Sequence, residues 1–277
     1  MSSPQVSDNH RSVPGRQFHA LVLAGERPGG DAVAAAAGVT VKAFAPLAGR
    51  EMVLRVLDAL EQSGTVSHIT LCGPRRDALP GCPELLDRIE GGMLTRVESA
   101  ASPSLSAMSG LSTIPHTAPV LLTTADHALL TPEMVRHFCD EALATKADAI
   151  AGLVDFRRVA TAMPGTRRTV LRFRDAGYCG CNLYAFLSPA GREVVAFWRR
   201  GEENRKKPWR MVAGLLGPVT ALSYAAGRLS LDDALDILSR RLEVVARAVV
   251  LPFPEAAVDV DTPADLELAR RLLAQRK

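Results

Sequence analysis

The chain has 277 residues, of which 33 are Lys or Arg and 30 are Asp or Glu; its net charge is +3, with 47% hydrophobic and 23% charged residues. This ordinary globular composition excludes a disordered chain, a collagen and a coiled coil. The even charge balance also argues against a protein that binds nucleic acid by bulk electrostatics.

Residues 1–16 are rich in Ser, Pro and polar side chains, and Pro4 and Pro14 interrupt them. They read as a disordered leader, with neither the apolar stretch of a secretory signal nor a targeting helix. Residues 17–277 read as one domain. No run approaches the roughly 18 apolar residues of a bilayer span, so no integral membrane segment is expected. Phe18 to Leu23 is a short apolar run ending in Ala24-Gly25, the pattern of a buried parallel strand. The Gly-, Ala- and Pro-rich stretch from Gly25 to Ala48 reads as a long loop, a kind that is usually functional or disordered. Glu51 to Gln62 has helical period, and Ser67 to Cys72 reads as a second strand. Gly73 to Glu84 is broken by three prolines. Leu94 to Glu98 is a third strand, and Pro103 to Leu111 a short helix capped by Ser102.

Pro119 to Thr124 is the clearest strand, with Ala125-Asp126 at its carboxyl end. Thr131-Pro132-Glu133 then opens a helix: Thr caps, Pro takes the first position and Glu suits the positive end of the dipole. Ala147 to Val154 is another strand, Arg168 to Arg174 an alternating edge strand, and Asn182 to Leu187 a further strand. Helices are expected over Pro189–Arg200, Pro208–Leu216, Val219–Ala226 and Leu231–Leu238, so that residues 188–240 form a mainly helical insertion. Glu243 to Leu251 is a late strand, Val258 to Asp261 a strand end, and Thr262 to Ala274 a terminal helix. The alternation predicts a three-layer α/β/α fold around a mostly parallel, mixed central sheet, Rossmann-like in character. In such sheets ligands bind beyond the carboxyl ends of the strands.

Three features lie at such ends: the Gly25 loop, Asp126, and Asp259 with Asp261. Glycines at 25, 29 and 30 let backbone amides approach phosphate oxygens, although the loop matches neither Gly-x-Gly-x-x-Gly nor the Walker pattern. Alone, Lys42 reads as a solvated lysine; beside a glycine loop it could point back at a triphosphate. Asp126 and Asp261, each at the mouth of a strand, suit a Mg²⁺ that bridges phosphates, with Asp259 on the same face two residues earlier. Away from these, Trp198 to Arg210 carries six positive and two negative residues, a local +4, and both tryptophans. Its Arg205, Lys206, Lys207 and Arg210 suit an acceptor bearing phosphate, and equally a nucleic acid, an anionic membrane surface, or a solvated helix face whose tryptophans pack inward. The five cysteines are odd in number and loosely spaced, which fits a reducing cytoplasm; Cys179-Gly-Cys181 reads as small residues in a packed turn.

Taken in order, Leu21-Val-Leu-Ala-Gly25, Val41-Lys42-Ala-Phe-Ala-Pro-Leu-Ala-Gly49, Ala125-Asp126 with Leu130-Thr-Pro-Glu133, and Val258-Asp-Val-Asp-Thr-Pro-Ala-Asp-Leu266 resemble nucleotidyltransferases of the glycosyltransferase-A-like (GT-A) fold. The branch they are most similar to is the molybdenum-cofactor guanylyltransferase-like group. The resemblance covers residues 18–150 and the last 20 residues. It implies an NTP over the strand ends, lined by Leu23, Ala24, Gly25, Glu26, Arg27, Gly29 and Gly30. Ser102 and Ser104 would reach the nucleotide from a helix start. Lys42 would neutralise the triphosphate, Asp126 and Asp261 would hold Mg²⁺, and Asn182 would lie on the acceptor side. The implied activity moves an NMP to a small phosphorylated acceptor with release of pyrophosphate. Its partners are an NTP and that acceptor, with no nucleic acid and a homodimer as the candidate assembly. The family's loop runs Gly-x-Gly-x-Arg, whereas here Arg27 stands two residues early behind an acidic Glu26. Two other readings remain open: a nucleotide-sugar-dependent glycosyltransferase, which would want Asp-x-Asp at the metal strand, where Asp126-His127-Ala128 lacks it and Asp259-Val-Asp261 stands at the wrong end, and a non-catalytic nucleotide-binding protein of the same fold.

Overall fold

The structure, a computed structural model, describes residues 17–26, 29–201 and 217–276. The expected leader (1–16), Arg27, the expected helix Pro208–Leu216, and Arg205, Lys206, Lys207 and Arg210 lie outside those residues.

Among the described residues, eight strands form the central sheet. In chain order they are β1 (Phe18–Leu23), β4 (Val66–Cys72), β5 (Thr95–Val97), β6 (Val120–Thr124), β7 (Ala149–Asp155), β8 (Leu171–Arg172), β9 (Gly177–Phe186) and β10 (Ala246–Val250); β2 (Pro46–Leu47) and β3 (Arg50–Glu51) form a separate ribbon. The spatial order is β10-β7-β9-β6-β1-β4-β5, with β8 on β9. Neighbours pair in parallel except around β9, which runs antiparallel to β6, β7 and β8. Because β9 is reversed, its amino-terminal half lies at the carboxyl edge of the sheet, where the parallel strands end.

The helices lie on both faces. Within β1, Ala20 and Val22 enter one core with Val53 and Leu57 of α2 (Met52–Gln62) and Phe138 of α5 (Pro132–Ala144). Leu21 and Leu23 enter the other with Ala107 and Leu111 of α4 (Pro103–Ser112) and Val195 of α8 (Val194–Gly201). This two-sided burial explains why β1 and β6 read as continuous apolar runs. The expected caps form. Ser102 accepts from Leu105 N, Thr131 accepts from Met134 N, and Thr262 makes a reciprocal box with Asp265 at the start of α11 (Pro263–Gln275).

The chain departs from the sequence reading in several places. The alanines inside the supposed long loop form α1 (Ala32–Ala37), because Asp31 accepts from Val33 N and Ala34 N and Gly38 closes the helix in the left-handed region. The proline-punctuated stretch leads into α3 (Pro83–Glu90), with proline at its tolerated first position. A further helix, α6 (Phe156–Ala162), follows β7. Cys179-Gly-Cys181 is not a turn: it lies within β9, both thiols are buried, and burial raises the pKa of Cys179 to about 11. Val258 to Asp261 carries no strand. In the second half, Pro189–Arg200 splits into α7 (Pro189–Arg192) and α8, followed by α9 (Pro218–Ala225) and α10 (Leu231–Leu242). Among the described residues no helix is long and apolar enough to cross a membrane.

Two positions make the packing testable. Gly110 lets α4 lie close on β1 and β4: a Cβ there would press on the Leu21 side chain and come 2.7 Å from Cys72 Sγ. Overpacking of this kind costs about 1–3 kcal/mol, against roughly 1 kcal/mol that alanine gains over glycine in a helix. Gly110→Ala should therefore lower the urea midpoint despite its better helix propensity. The second position is His19, whose Nε2 is 2.9 Å from Thr70 Oγ1 and whose ring meets His68 edge-on at 4.8 Å. Burial, then the nearby His68 and Arg192, lower its pKa from 6.5 to about 4. Between those values the unfolded chain binds the proton and the folded one does not, so stability falls as pH drops through that window. His19→Gln should flatten the dependence of the urea midpoint on pH between 4 and 6.5 by about one proton's worth.

Candidate active site

β1 ends in Leu23-Ala24, and Ala24 N donates to Cys72 O of β4. Gly25 follows, tight enough that a Cβ would lie 3.3 Å from Ser99 Cβ. Gly29 and Gly30 both take positive φ, 90° and 94°, which only glycine adopts at little cost. Glu26 does not leave a bare charge in the loop: its carboxylate accepts from Arg75 N at 3.0 Å and pairs with the Arg75 guanidinium. Gly73, passed over in the sequence, supports this loop from below. Its φ is +84°, and a Cβ there would lie 2.7 Å from Ala24 O. Only its position after a strand and before Pro74 could have flagged it.

Lys42, Asp126 and Asp261 converge. Lys42, at the start of a short 3-10 turn (Lys42–Phe44), sends Nζ to Asp126 Oδ2 at 2.6 Å and to Asp261 Oδ1 at 3.2 Å. Two backbone hydrogen bonds bring these carboxylates together: Ala125 N donates to Leu23 O, and Val260 N donates to Asp126 O. Burial opposes the charge on Lys42, but Asp126 and then Asp261 outweigh it and hold its pKa above the ordinary lysine value. The other oxygen of Asp126, Oδ1, accepts from Thr124 Oγ1 at 2.5 Å.

Asp259 and Asp261 part company. Asp261 is at the mouth of the cleft, whereas Asp259 Oδ1 is sealed from solvent without a hydrogen-bond partner. Burial, then the Asp126 and Asp261 carboxylates, push the Asp259 pKa well above the usual carboxylate range. The segment therefore does not present the paired carboxylates that a glycosyltransferase metal motif would need.

These residues line a cleft of about 750 Å³ running from the glycine loop, past Ala100–Pro103 and Lys42, to Asn182, Tyr184, Trp198 and Arg199. Leu23, Ala24, Gly25, Glu26 and Gly30 lie along it, as does Ser102. Ser104 does not: it is fully buried, with its hydroxyl 3.0 Å from Ser102 Oγ. Gly29 flanks the cleft without lining it. Asn182 faces the cleft, but its amide donates to Thr124 Oγ1 at 3.3 Å. At the far end the Tyr184 and Trp198 rings pack 5.7 Å apart, and Arg199 adds the one described charge of the basic segment that reaches the cleft.

The donor set fits a magnesium ion. Asp126 and Asp261 already share a cation, the Lys42 ammonium, and Mg²⁺ is commonly held by one or two carboxylates with substrate phosphates and water completing its shell. Among the described residues no group of three or more His, Cys, Asp or Glu is placed to hold a metal without such help.

Comparisons with known proteins agree with the fold. A hypothetical transferase from Thermus thermophilus is 32% identical, covers 90% of this chain and 99% of its own, and superposes with a TM-score of 0.72. The 4-diphosphocytidyl-2C-methyl-D-erythritol synthase of Anaerococcus prevotii (14% identity, 94% and 100% coverage, TM-score 0.55) shares the fold. So does a CMP:2-keto-3-deoxy-manno-octonic acid synthetase complexed with CTP (14%, 94% and 100%, 0.57). No curated protein gives a significant match. The family model described as the MobA-like NTP transferase domain matches residues 20–234, which takes in the glycine loop, Lys42, Asp126 and Asn182, and the chain belongs to that family of nucleotidyltransferases with the GT-A-like fold.

Proposed function

We propose that the protein is a Mg²⁺-dependent nucleotidyltransferase that moves an NMP from an NTP to a small phosphorylated acceptor. The observation that carries this reading is the convergence of Lys42, Asp126 and Asp261 at the carboxyl edge of the sheet, beside a glycine loop, in a cleft of about 750 Å³. Amides of the loop would bind the phosphates, and Lys42 would turn from the carboxylates to neutralise them. Asp126 and Asp261 would hold Mg²⁺, which when bound offsets charge on the triphosphate. Arg199 would draw the acceptor phosphate towards the cleft. An acceptor oxygen forms the new bond to the α-phosphorus as the bond from that phosphorus to the bridging oxygen breaks, and pyrophosphate leaves. Nothing here requires a covalent intermediate on the protein; alignment and charge neutralisation supply the acceleration.

A panel of the four NTPs with and without Mg²⁺ tests the first half of this reading by thermal shift. A nucleotide at 100 times its Kd adds about 2.7 kcal/mol, worth a shift of about 5 °C for a chain of this size. Pyrophosphate release with phosphorylated alcohols, sugars and cofactor precursors tests the second half. If no NTP shifts the midpoint with Mg²⁺ present, the reading fails.

A further inference from the structure

We propose that Thr124 and Asn182 are positioning residues for Asp126, held in place by a bulge in β9 for which Gly152 makes room. This rests on the nucleotidyltransferase reading and deepens it.

The register of β9 shows the device. Against β7, Tyr184 lies opposite Ala151 and Gly180 opposite Leu153, so three residues of β9 face the single Gly152. The excess is accommodated only because position 152 has no side chain: a Cβ there would lie 2.7 Å from Cys181 Sγ and 3.1 Å from Leu183 Cβ. Within the bulge Asn182 takes φ +45°, a left-handed conformation that asparagine tolerates better than most residues. On the other side of β9, pairing with β6 stops at Leu122–Tyr184, two residues short of Thr124. The bulge thus turns Asn182 onto Thr124 where the ladder has ended. Bulges commonly re-aim a side chain next to an active site in this way.

The polar chain has a direction. Asn182 Nδ2 can only donate, so it fills an acceptor position on Thr124 Oγ1 and leaves the threonine proton for Asp126 Oδ1. With Oδ1 held, Oδ2 is the oxygen presented to the cation, now the Lys42 ammonium. Threonine is stiff at χ1, so the hydroxyl does not wander. This gives Asn182 a task different from contact with the acceptor, although it lines the same cleft.

Binding of Mn²⁺ in the presence of each NTP, followed by the paramagnetic signal of the free ion, tests the proposal without an acceptor. Thr124→Val should weaken nucleotide-dependent Mn²⁺ binding by about 10- to 100-fold, the usual effect of removing a group that orients a metal ligand. Thr124→Ser, which keeps the hydroxyl, should restore it to within about threefold. Asn182→Gly suits the positive φ, so it keeps the bulge while removing the amide, and it should weaken binding by a smaller factor. In the Thr124→Val background the same change should add nothing, because Asn182 acts through Thr124. Unchanged Mn²⁺ affinity in Thr124→Val, or an Asn182→Gly loss that persists undiminished in the double variant, overturns the proposal. An Asn182→Gly protein with wild-type Mn²⁺ affinity would return that residue to the acceptor side and overturn it equally. Should Thr124→Val not fold, judged by its thermal midpoint, Asn182→Gly decides alone. A wild-type protein that binds no Mn²⁺ with any NTP refutes the nucleotidyltransferase reading itself, and the positioning role falls with it.

Discussion

Asp126→Ala is expected to lower the rate of pyrophosphate release by about three orders of magnitude, at the upper end of what removal of one preorganised electrostatic group costs. Asp126 is where three things meet. It contributes one of the two carboxylates suited to the metal, it takes the Thr124 hydroxyl on Oδ1, and its backbone oxygen accepts from Val260 N and so anchors the segment carrying Asp261. Alanine removes the carboxylate and leaves the backbone bond. The second carboxylate therefore stays where it is, and the loss reports on charge, not on collapse of the site. Asp126→Asn is the sharper control. It keeps an oxygen for Thr124 and nearly the same volume, yet it should be almost as damaging, because a neutral amide neither pairs with Lys42 nor holds a hard cation well. The fold should not suffer in proportion. Asp126 sits at the cleft with its side chain 21% exposed, so its loss breaks an ion pair without emptying the core. Activity lost with a thermal midpoint moved by only a few degrees is the expected result. A variant that releases pyrophosphate at the wild-type rate would remove Asp126 from the mechanism.

Much of this site could be read before the fold was known, and the reason is local. Strand ends, threonine and serine caps and glycine turns are written in a few neighbouring residues, so Leu23-Ala-Gly25, Thr131-Pro132 and Thr262-Pro263 were legible. The meeting of Lys42 with residues 84 and 219 positions away was legible only from the order of the motifs, since Asp126 alone stands at the carboxyl end of a strand, while Lys42 lies in a 3-10 turn and Asp261 in a segment without strand. What stayed hidden depends on distant packing. Asp259 and Asp261 look equivalent two residues apart, but one is sealed beneath the site and the other opens on the cleft. The bulge in β9 depends on Gly152 lying opposite Cys181 and Leu183, and no pattern within residues 177–186 states that. Asn182 was therefore legible as a site residue, while its hydrogen bond to Thr124 was not.

Lys42→Met is expected to change metal binding in two opposite senses. In the nucleotide-free protein the ammonium stands between the Asp126 and Asp261 carboxylates, its side chain only 17% exposed, and both pairings favour its charged form. A divalent cation arriving alone has to displace it. A cation arriving with a triphosphate does not, because the phosphates offer Lys42 an alternative partner of the same sign as the carboxylates it leaves. The lysine thus acts as a resident cation that favours joint arrival of metal and nucleotide. Methionine keeps an unbranched apolar stem in the same space and removes the charge, leaving two carboxylates facing one another. Opposite charges at about 4 Å interact by about 4 kcal/mol at the effective dielectric of a protein surface, and desolvation cancels much of it; a gain of about tenfold in Mn²⁺ affinity without nucleotide is a modest demand on that balance. In the same variant the Mg²⁺·NTP thermal shift should largely vanish, because the triphosphate has lost its cation from the protein. Titration of Mn²⁺ against both proteins, with and without NTP, checks the two halves together. Equal Mn²⁺ affinity in the two nucleotide-free proteins would show that Lys42 does not hold the metal position, and an undiminished NTP shift in the variant would show that it does not serve the phosphates.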